Sequence, residues 1–256
     1  MDRKRFEPEV STFSSDAELA PFDRQLNPQF EVLHPVSERA TDPGLEARVL
    51  GPRPIQGDFE GLAWDGARFH LVTSTGTLLS FEPGTDEMVT DYAARATRAG
   101  DWCEVEGLAF DPRVGALIMA CKTVLRGDQR GLTLLLAVAV PGPDTVEAAP
   151  PLPVTVALSL DEATLDALDL PSPLRLSGVA LHPLRDQWVL VSAQQARVIE
   201  VARDGAVVAS VRLRSGRHPQ TEGLELDPTG EVLFLADEGA GGRGRVTTYR
   251  ADGGQP

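Results

Sequence analysis

Glu104-Val105-Glu106-Gly107-Leu108-Ala109-Phe110-Asp111-Pro112 is an apolar, alternating run that ends in a turn signal, and it is written three more times along the chain. Asp58-Phe59-Glu60-Gly61-Leu62-Ala63-Trp64-Asp65 precedes it. Leu176-Ser177-Gly178-Val179-Ala180-Leu181-His182-Pro183 follows with Ser in place of Glu, and Gln220-Thr221-Glu222-Gly223-Leu224-Glu225-Leu226-Asp227-Pro228 comes last. Measured between the Glu/Ser positions, the spacings are 46, 71 and 45 residues. A strand-forming signature at a period of roughly 40–50 residues is the mark of a propeller blade.

Each signature is followed by the same sequence of events. Asp, Pro and Gly preset a turn, at Asp65-Gly66, Asp111 to Gly115, His182 to Asp186 and Asp227 to Gly230. A second strand is expected over Phe69–Ser74, Ala116–Ala120, Gln187–Ser192 and Glu231–Ala236. A third is expected over Thr77–Phe81, Gly131–Val140, Ala196–Val201 and Arg245–Arg250. In the third copy the Asp204-Gly205 hairpin leads to a fourth, Val207–Leu213. The expected fold is all-β, a single β-propeller of four-stranded antiparallel blades. Four blades are visible; five is the favoured number, with four or six as alternatives.

The 71-residue interval reads as an expanded module, with an insertion at about 141–173 that carries a short helix near Leu160–Leu168. The last copy has no room for a fourth strand, so an N-terminal strand is expected to close the ring, from Phe30–Leu33 or Leu45–Leu50. Residues 29–256 are assigned to the propeller. Residues 1–28, polar and Pro-broken, are expected to wrap the surface or to be disordered.

Composition narrows the function. The 256 residues carry a formal charge of −14, without a basic cluster beyond the first five residues, which argues against nucleic acid. No run approaches the ~20 apolar residues of a membrane helix, so no membrane partner is expected. The N-terminus has no apolar signal region, so cytoplasm is the default location, with a trimmed secretory signal left open. The two cysteines, Cys103 and Cys121, have no metal spacing and read as ordinary thiols. A monomer is expected.

Position, and not merely residue type, singles out the glutamates. Glu60, Glu106 and Glu222 each precede the signature Gly, so equivalent blades should gather them at one mouth of the central channel, with Ser177 at the fourth place. Converging carboxylates repel unless protons or a cation intervene. Oxygen donors without a His/Cys cluster suit Ca2+, or Mg2+ as the alternative. Asp58 and Glu104, two residues upstream on the same strand face, and Glu238 could enlarge the set. His218 is the one His near a signature Glu and the weak candidate for a base or a ligand. There is no Gly-x-Ser-x-Gly nucleophile elbow. The signature glycines are expected where inner strands crowd the channel.

With these residues assembled, the chain resembles the SdiA-regulated family of bacterial β-propellers, related at a distance to NHL-repeat propellers and esterase-like phytases. The resemblance rests on Phe59–Ala63, Val105–Ala109, Leu176–Val179 and Pro219–Leu224 with Asp237-Glu238, and covers roughly residues 55–250. It implies five blades and bound calcium. The chain departs from the pattern in two ways: no Ser-Gly-Leu signature precedes residue 55, and of the acids expected after the second strands only Glu238 remains. The leading expectation is a calcium-binding propeller serving as a ligand-binding or scaffold module, with a small molecule or protein at the channel mouth. The alternatives are a metal-dependent hydrolase of phosphoesters or lactones and a metal-free protein-interaction ring.

Overall fold

The structure, a computed structural model, describes residues 6–7, 49–50, 57–84, 89–142, 149–238 and 244–251. Two short strands, β1 (Phe6–Glu7) and β2 (Val49–Leu50), precede the first blade. Blade one contains β3 (Phe59–Trp64), β4 (Phe69–Thr73) and β5 (Leu78–Phe81). After β6 (Val89–Thr90), which pairs in parallel with β2, it is completed by β7 (Tyr92–Arg95). Blade two is β8 (Cys103–Asp111), β9 (Ala116–Val124), β10 (Thr133–Ala139) and β11 (Val154–Leu160), followed by helix α1 (Glu162–Asp166). Blade three is β12 (Gly178–Leu181), β13 (Gln187–Ser192), β14 (Arg197–Ala202) and β15 (Val207–Arg212). Blade four is β16 (Thr221–Leu226), β17 (Val232–Asp237) and β18 (Arg245–Ala251), with β1 on its outer edge. Four antiparallel four-stranded sheets thus stand in a ring.

The expected strands fall within a few residues of the observed ones, and three findings refine the reading. An N-terminal strand does complete the last blade, but it is Phe6–Glu7, pairing Phe6 with Ala251 and Glu7 with Arg250, upstream of both expected segments. The 141–173 stretch is not wholly an insertion, since β11 is the outer strand of blade two, with α1 following it. Residues 29–55, left open between most of a fifth blade and a closing strand alone, lie outside the described residues apart from Val49–Leu50, as does the expected N-terminal extension apart from Phe6–Glu7.

Alternation explains how the blades pack. Successive strand residues point to opposite sheet faces. On β9, Leu117 and Met119 join Ala63, Val72 and Leu78 of blade one, while Ile118 and Ala120 join Val179, Trp188 and Leu190 of blade three. On β13, Trp188 and Leu190 face blade two, whereas Val189 and Val191 face Leu226, Leu233 and Leu235 of blade four. Both faces of these strands are buried, which is why their sequences read as nearly continuous apolar runs.

The turns at the far end of the signature strands are held by their acids. Asp65 Oδ1 accepts from the Ala67 and Arg68 amides, and Asp227 Oδ1 accepts from the Glu231 and Val232 amides. Asp65 also receives His70 Nε2 at 2.8 Å, and His70 Nδ1 meets Ser80 Oγ at 2.8 Å. This Ser-His-Asp chain is closed to substrate: His70 is 0% and Ser80 3% exposed, and burial holds the His70 imidazole below its ordinary pKa. It fastens three strands of blade one. Between blades two and three, Arg203 stacks on Trp188 at 4.4 Å and reaches Asp111 and Asp186, each at 2.5 Å.

At the ring centre the inner strands touch through glycine. A Cβ on Gly61 would lie 2.5 Å from Leu108 N, one on Gly107 2.9 Å from Gly178 Cα, and one on Gly178 2.8 Å from Leu224 Cδ2. At Gly223 the nearest atom is Ala236 Cβ at 3.3 Å, within its own blade. Gly107→Ala therefore forces backbone against backbone and should destabilise by ~1–3 kcal/mol, the range for an overfilled core. Gly223→Ala should be close to neutral. Denaturant unfolding of both variants checks this, and equal losses would show that glycine stacking does not set the blade spacing.

Candidate functional site

Three of the four signatures carry a β-bulge at the signature residue itself. The ladder register slips between Phe59 and Gly61, between Val105 and Leu108, and between Thr221 and Gly223. The register skips Glu60, Glu222 and, in the second blade, Glu106 together with Gly107, and a bulge re-aims its side chain and bends the strand. In the third blade Ser177 sits just ahead of β12, and its amide donates at 2.8 Å to the carbonyl of Val191, the ladder partner of Gly178, so the hydrogen bonding steps by one residue at this signature position as well.

The three glutamates feel one another across the mouth. Glu60 is partly buried, and its carboxyl is pushed up to about 8 by burial, by the charges of Glu106 and Asp58, by a hydrogen bond with Asp58, and by Glu222. Glu106 is 6% exposed. Its carboxyl is raised by burial, a trend that Lys122 opposes by donating to Oε1 at 2.6 Å, while Glu104 and Glu222 add to the rise. For Lys122, burial acts to lower the pKa, but the Glu106 hydrogen bond and the charges of Glu106, Glu104 and Glu60 win and raise it. On blade four, Gln220 Nε2 bridges Glu222 Oε1 at 2.6 Å and Glu238 Oε2 at 2.5 Å.

The expected set is therefore brought together in part. Asp58, Glu60, Glu104, Glu106 and Glu222 share one electrostatic neighbourhood, and Glu238 joins Glu222 through Gln220. Ser177 is engaged as a strut: Oγ donates to Thr221 O of blade four at 2.7 Å and accepts from Ala193 N at 3.0 Å. His218 is 4% exposed, with Nδ1 on Asp237 Oδ2 at 2.7 Å and Nε2 on the Tyr249 hydroxyl, while Thr221 Oγ1 donates to Asp237 Oδ1 at 2.8 Å. That chain ties the loop after β15 to blade four.

Two participants escaped the sequence reading. Lys122, near the end of β9, occupies the place where the family pattern expects an acid, and that exchange of an acid for a cation was the available signal. The cysteine assignment is corrected: Cys103 and Cys121, 1% and 0% exposed, form a disulfide across β8 and β9. Their separation of 18 residues carries no pairing signal of its own, because only the β8–β9 hairpin brings them together.

The acidic set offers carboxylate oxygen without sulfur or imidazole, which is the chemistry of a hard-cation donor set. Among the described residues, no three acidic, His or Cys side chains stand close enough together to hold one metal ion between them. Among the same residues, no helix is long and apolar enough to cross a membrane.

No protein-family model and no curated protein matches the chain. Solved structures match its fold. One is the "Mitotic Checkpoint Complex" (11% identity, TM-score 0.44, 79% of this chain and 51% of that one). Another is a protein of unknown function from Bacteroides caccae (10%, 0.42, 81% and 69%). A third, from Bacteroides uniformis ATCC 8492, is named "putative 6-phosphogluconolactonase" (13%, 0.45, 88% and 65%). The chain spans about half of the checkpoint chain it matches. These are likenesses of a propeller-like strand arrangement and carry no argument about activity.

The raised carboxyl of Glu60 has a defined pH signature. Between its ordinary value of 4.5 and about 8 the folded protein keeps a proton that the unfolded chain releases, so stability falls as pH rises through that window. Glu106, shifted the same way, adds to the slope. Glu60→Gln cannot ionise and should gain stability relative to the parent at pH 8 compared with pH 5, with solvent screening moderating the size. Urea unfolding of chelated protein at the two pH values reads this. A parent-to-variant difference that stays constant with pH would remove the coupling.

Proposed function

We propose that the protein is a cation-responsive β-propeller of the SdiA-regulated type, a ligand-binding or scaffold module whose channel mouth takes up Ca2+. The observation that carries this reading is the upward displacement of Glu60 by burial and by its acidic neighbours. A carboxylate placed at such cost in field and desolvation is relieved by a proton or by a cation. Glu60, Glu222 and Asp58, which do not converge on one point as they stand, would have to draw together around the ion to supply its oxygens. Glu106 is shared with Lys122 and Glu238 with Gln220, so those two shape the mouth from its edge. A bound Ca2+ would bring positive charge able to orient an anionic or carbonyl-bearing ligand over the mouth. The tolerance of Ca2+ for irregular oxygen geometry suits donors spread over separate blades, whereas Mg2+ requires a tight octahedron.

The test is a thermal melt of chelator-treated protein titrated with Ca2+ and with Mg2+, beside Glu60→Gln/Glu222→Gln. At a hundredfold excess over Kd, binding adds about 2.7 kcal/mol, roughly 5–10 °C for a chain of this size. The rise should be larger at pH 8 than at pH 6, because the proton on Glu60 competes with the cation. It should be smaller with Mg2+ and largely absent in the double variant. An equal rise in parent and variant, or none in a parent that metal analysis finds free of bound metal, would refute the reading.

A further inference from the structure

The mouth end of β8 is held by two blades at once. Between the two register breaks of β8, Val105 stands opposite Cys121 while its amide donates to Ser74 O of blade one at 2.9 Å. Glu106 and Gly107 have no partner across the ladder, and regular pairing resumes at Leu108 with Met119. On the blade-two side, the covalent link at this point is Cys103–Cys121, with Cys121 opposite Val105 and next to Lys122. Its sulfurs are buried in the apolar layer between blades one and two, among Val105, Met119 and Leu134. The disulfide lies where the ladder is interrupted, one residue from the cation and three from the carboxylate of the Glu106–Lys122 pair.

We propose that Cys103–Cys121 is a redox-dependent clamp on the channel mouth: closed, it keeps the bulge of β8 on blade two and Glu106 against Lys122, and opened, it releases both. A bulge costs the strand pair its local hydrogen bonds, and beyond it only the pairs Cys103 with Val124 and Glu104 with Thr123 remain of the ladder, so the disulfide reinforces a short end of β8 whose Val105 amide is drawn toward blade one. Opening breaks the S–S bond with two electrons and two protons supplied by a dithiol, which leaves as its own cyclic disulfide, and two buried thiols remain. Freed from Glu106, Lys122 no longer neutralises part of the acidic set in a fixed place, so the cation response of the mouth changes with redox state. That last step rests on the function proposed above; the clamp itself does not.

The experiment compares parent protein kept oxidised with parent reduced by a dithiol until alkylation and mass measurement count two thiols, and with Cys103→Ser/Cys121→Ser. Amide exchange is followed at 103–108 and, as an internal reference, at 187–202 of blade three. The Ca2+ melting shift is measured in parallel. The clamp predicts no alkylation of the oxidised protein and exchange at 103–108 faster by tenfold or more in the reduced and double-Ser forms. Exchange at 187–202 should not change, and the Ca2+ shift should fall by at least half. Two free thiols under oxidising conditions, or equal exchange at 103–108 in both states, would overturn it, as would exchange rising equally in both segments, which marks a global staple. Local loosening with no Ca2+ shift in any form would uphold the clamp and refute the cation reading.

Discussion

The close approach of inner strands at Gly61, Gly107 and Gly178 sets the geometry on which everything else depends. Each glycine lets the next blade's backbone or side chain come to within a distance that a Cβ would forbid. With the blades that near, β9 and β13 can bury both faces, and the alternating residues of one strand feed two different cores. The same nearness draws side chains at the start of each inner strand into a common electrostatic space. A ring spaced by alanines would hold its blades farther apart, with weaker cores and a more dilute mouth.

The bulges turn that scaffold into a site. In a regular ladder each signature glutamate would alternate with its neighbours, facing one inter-blade core or the other. An extra residue in the strand releases it from that choice and turns it to the mouth. The cost is visible in the energetics: burial and acidic neighbours push the carboxyls of Glu60 and Glu106 upward, and Lys122 opposes this on Glu106 through its hydrogen bond and charge. Local disorder of the ladder and local excess of charge are therefore two sides of one arrangement.

Blade four is tied differently from the others. Ser177 reaches into it by hydrogen-bonding Thr221 O, and His218 spans from the loop after β15 to Asp237 and Tyr249. In sequence these two look like candidate chemistry, a hydroxyl in a glutamate's place and a histidine near a glutamate. In the fold they are buried polar groups whose partners are the neighbouring blade, the usual condition for a polar side chain inside a protein. The Asp65-His70-Ser80 chain makes the same point in blade one, since its geometry matches a catalytic relay and its burial denies it substrate.

What could be read from the chain alone were features whose cause is local. Strand alternation, Asp- and Gly-set turns, the Asp161 cap of α1 and the equivalence of Glu60, Glu106 and Glu222 each depend on a few neighbouring residues and a period, so they appear in the linear text. Tertiary structure decided whatever joins distant segments. Phe6–Glu7 becomes a strand only because β18 offers an edge, and Val154–Leu160 becomes part of blade two only because β10 does. Cys103 meets Cys121 through the register of a bulged hairpin, Lys122 finds Glu106 by the same route, and Ser177 becomes a strut because blade four brings Thr221 O within reach of its hydroxyl. Hydrophobic period and turn chemistry are properties of a segment, whereas pairing, burial and field are properties of what the segment is packed against.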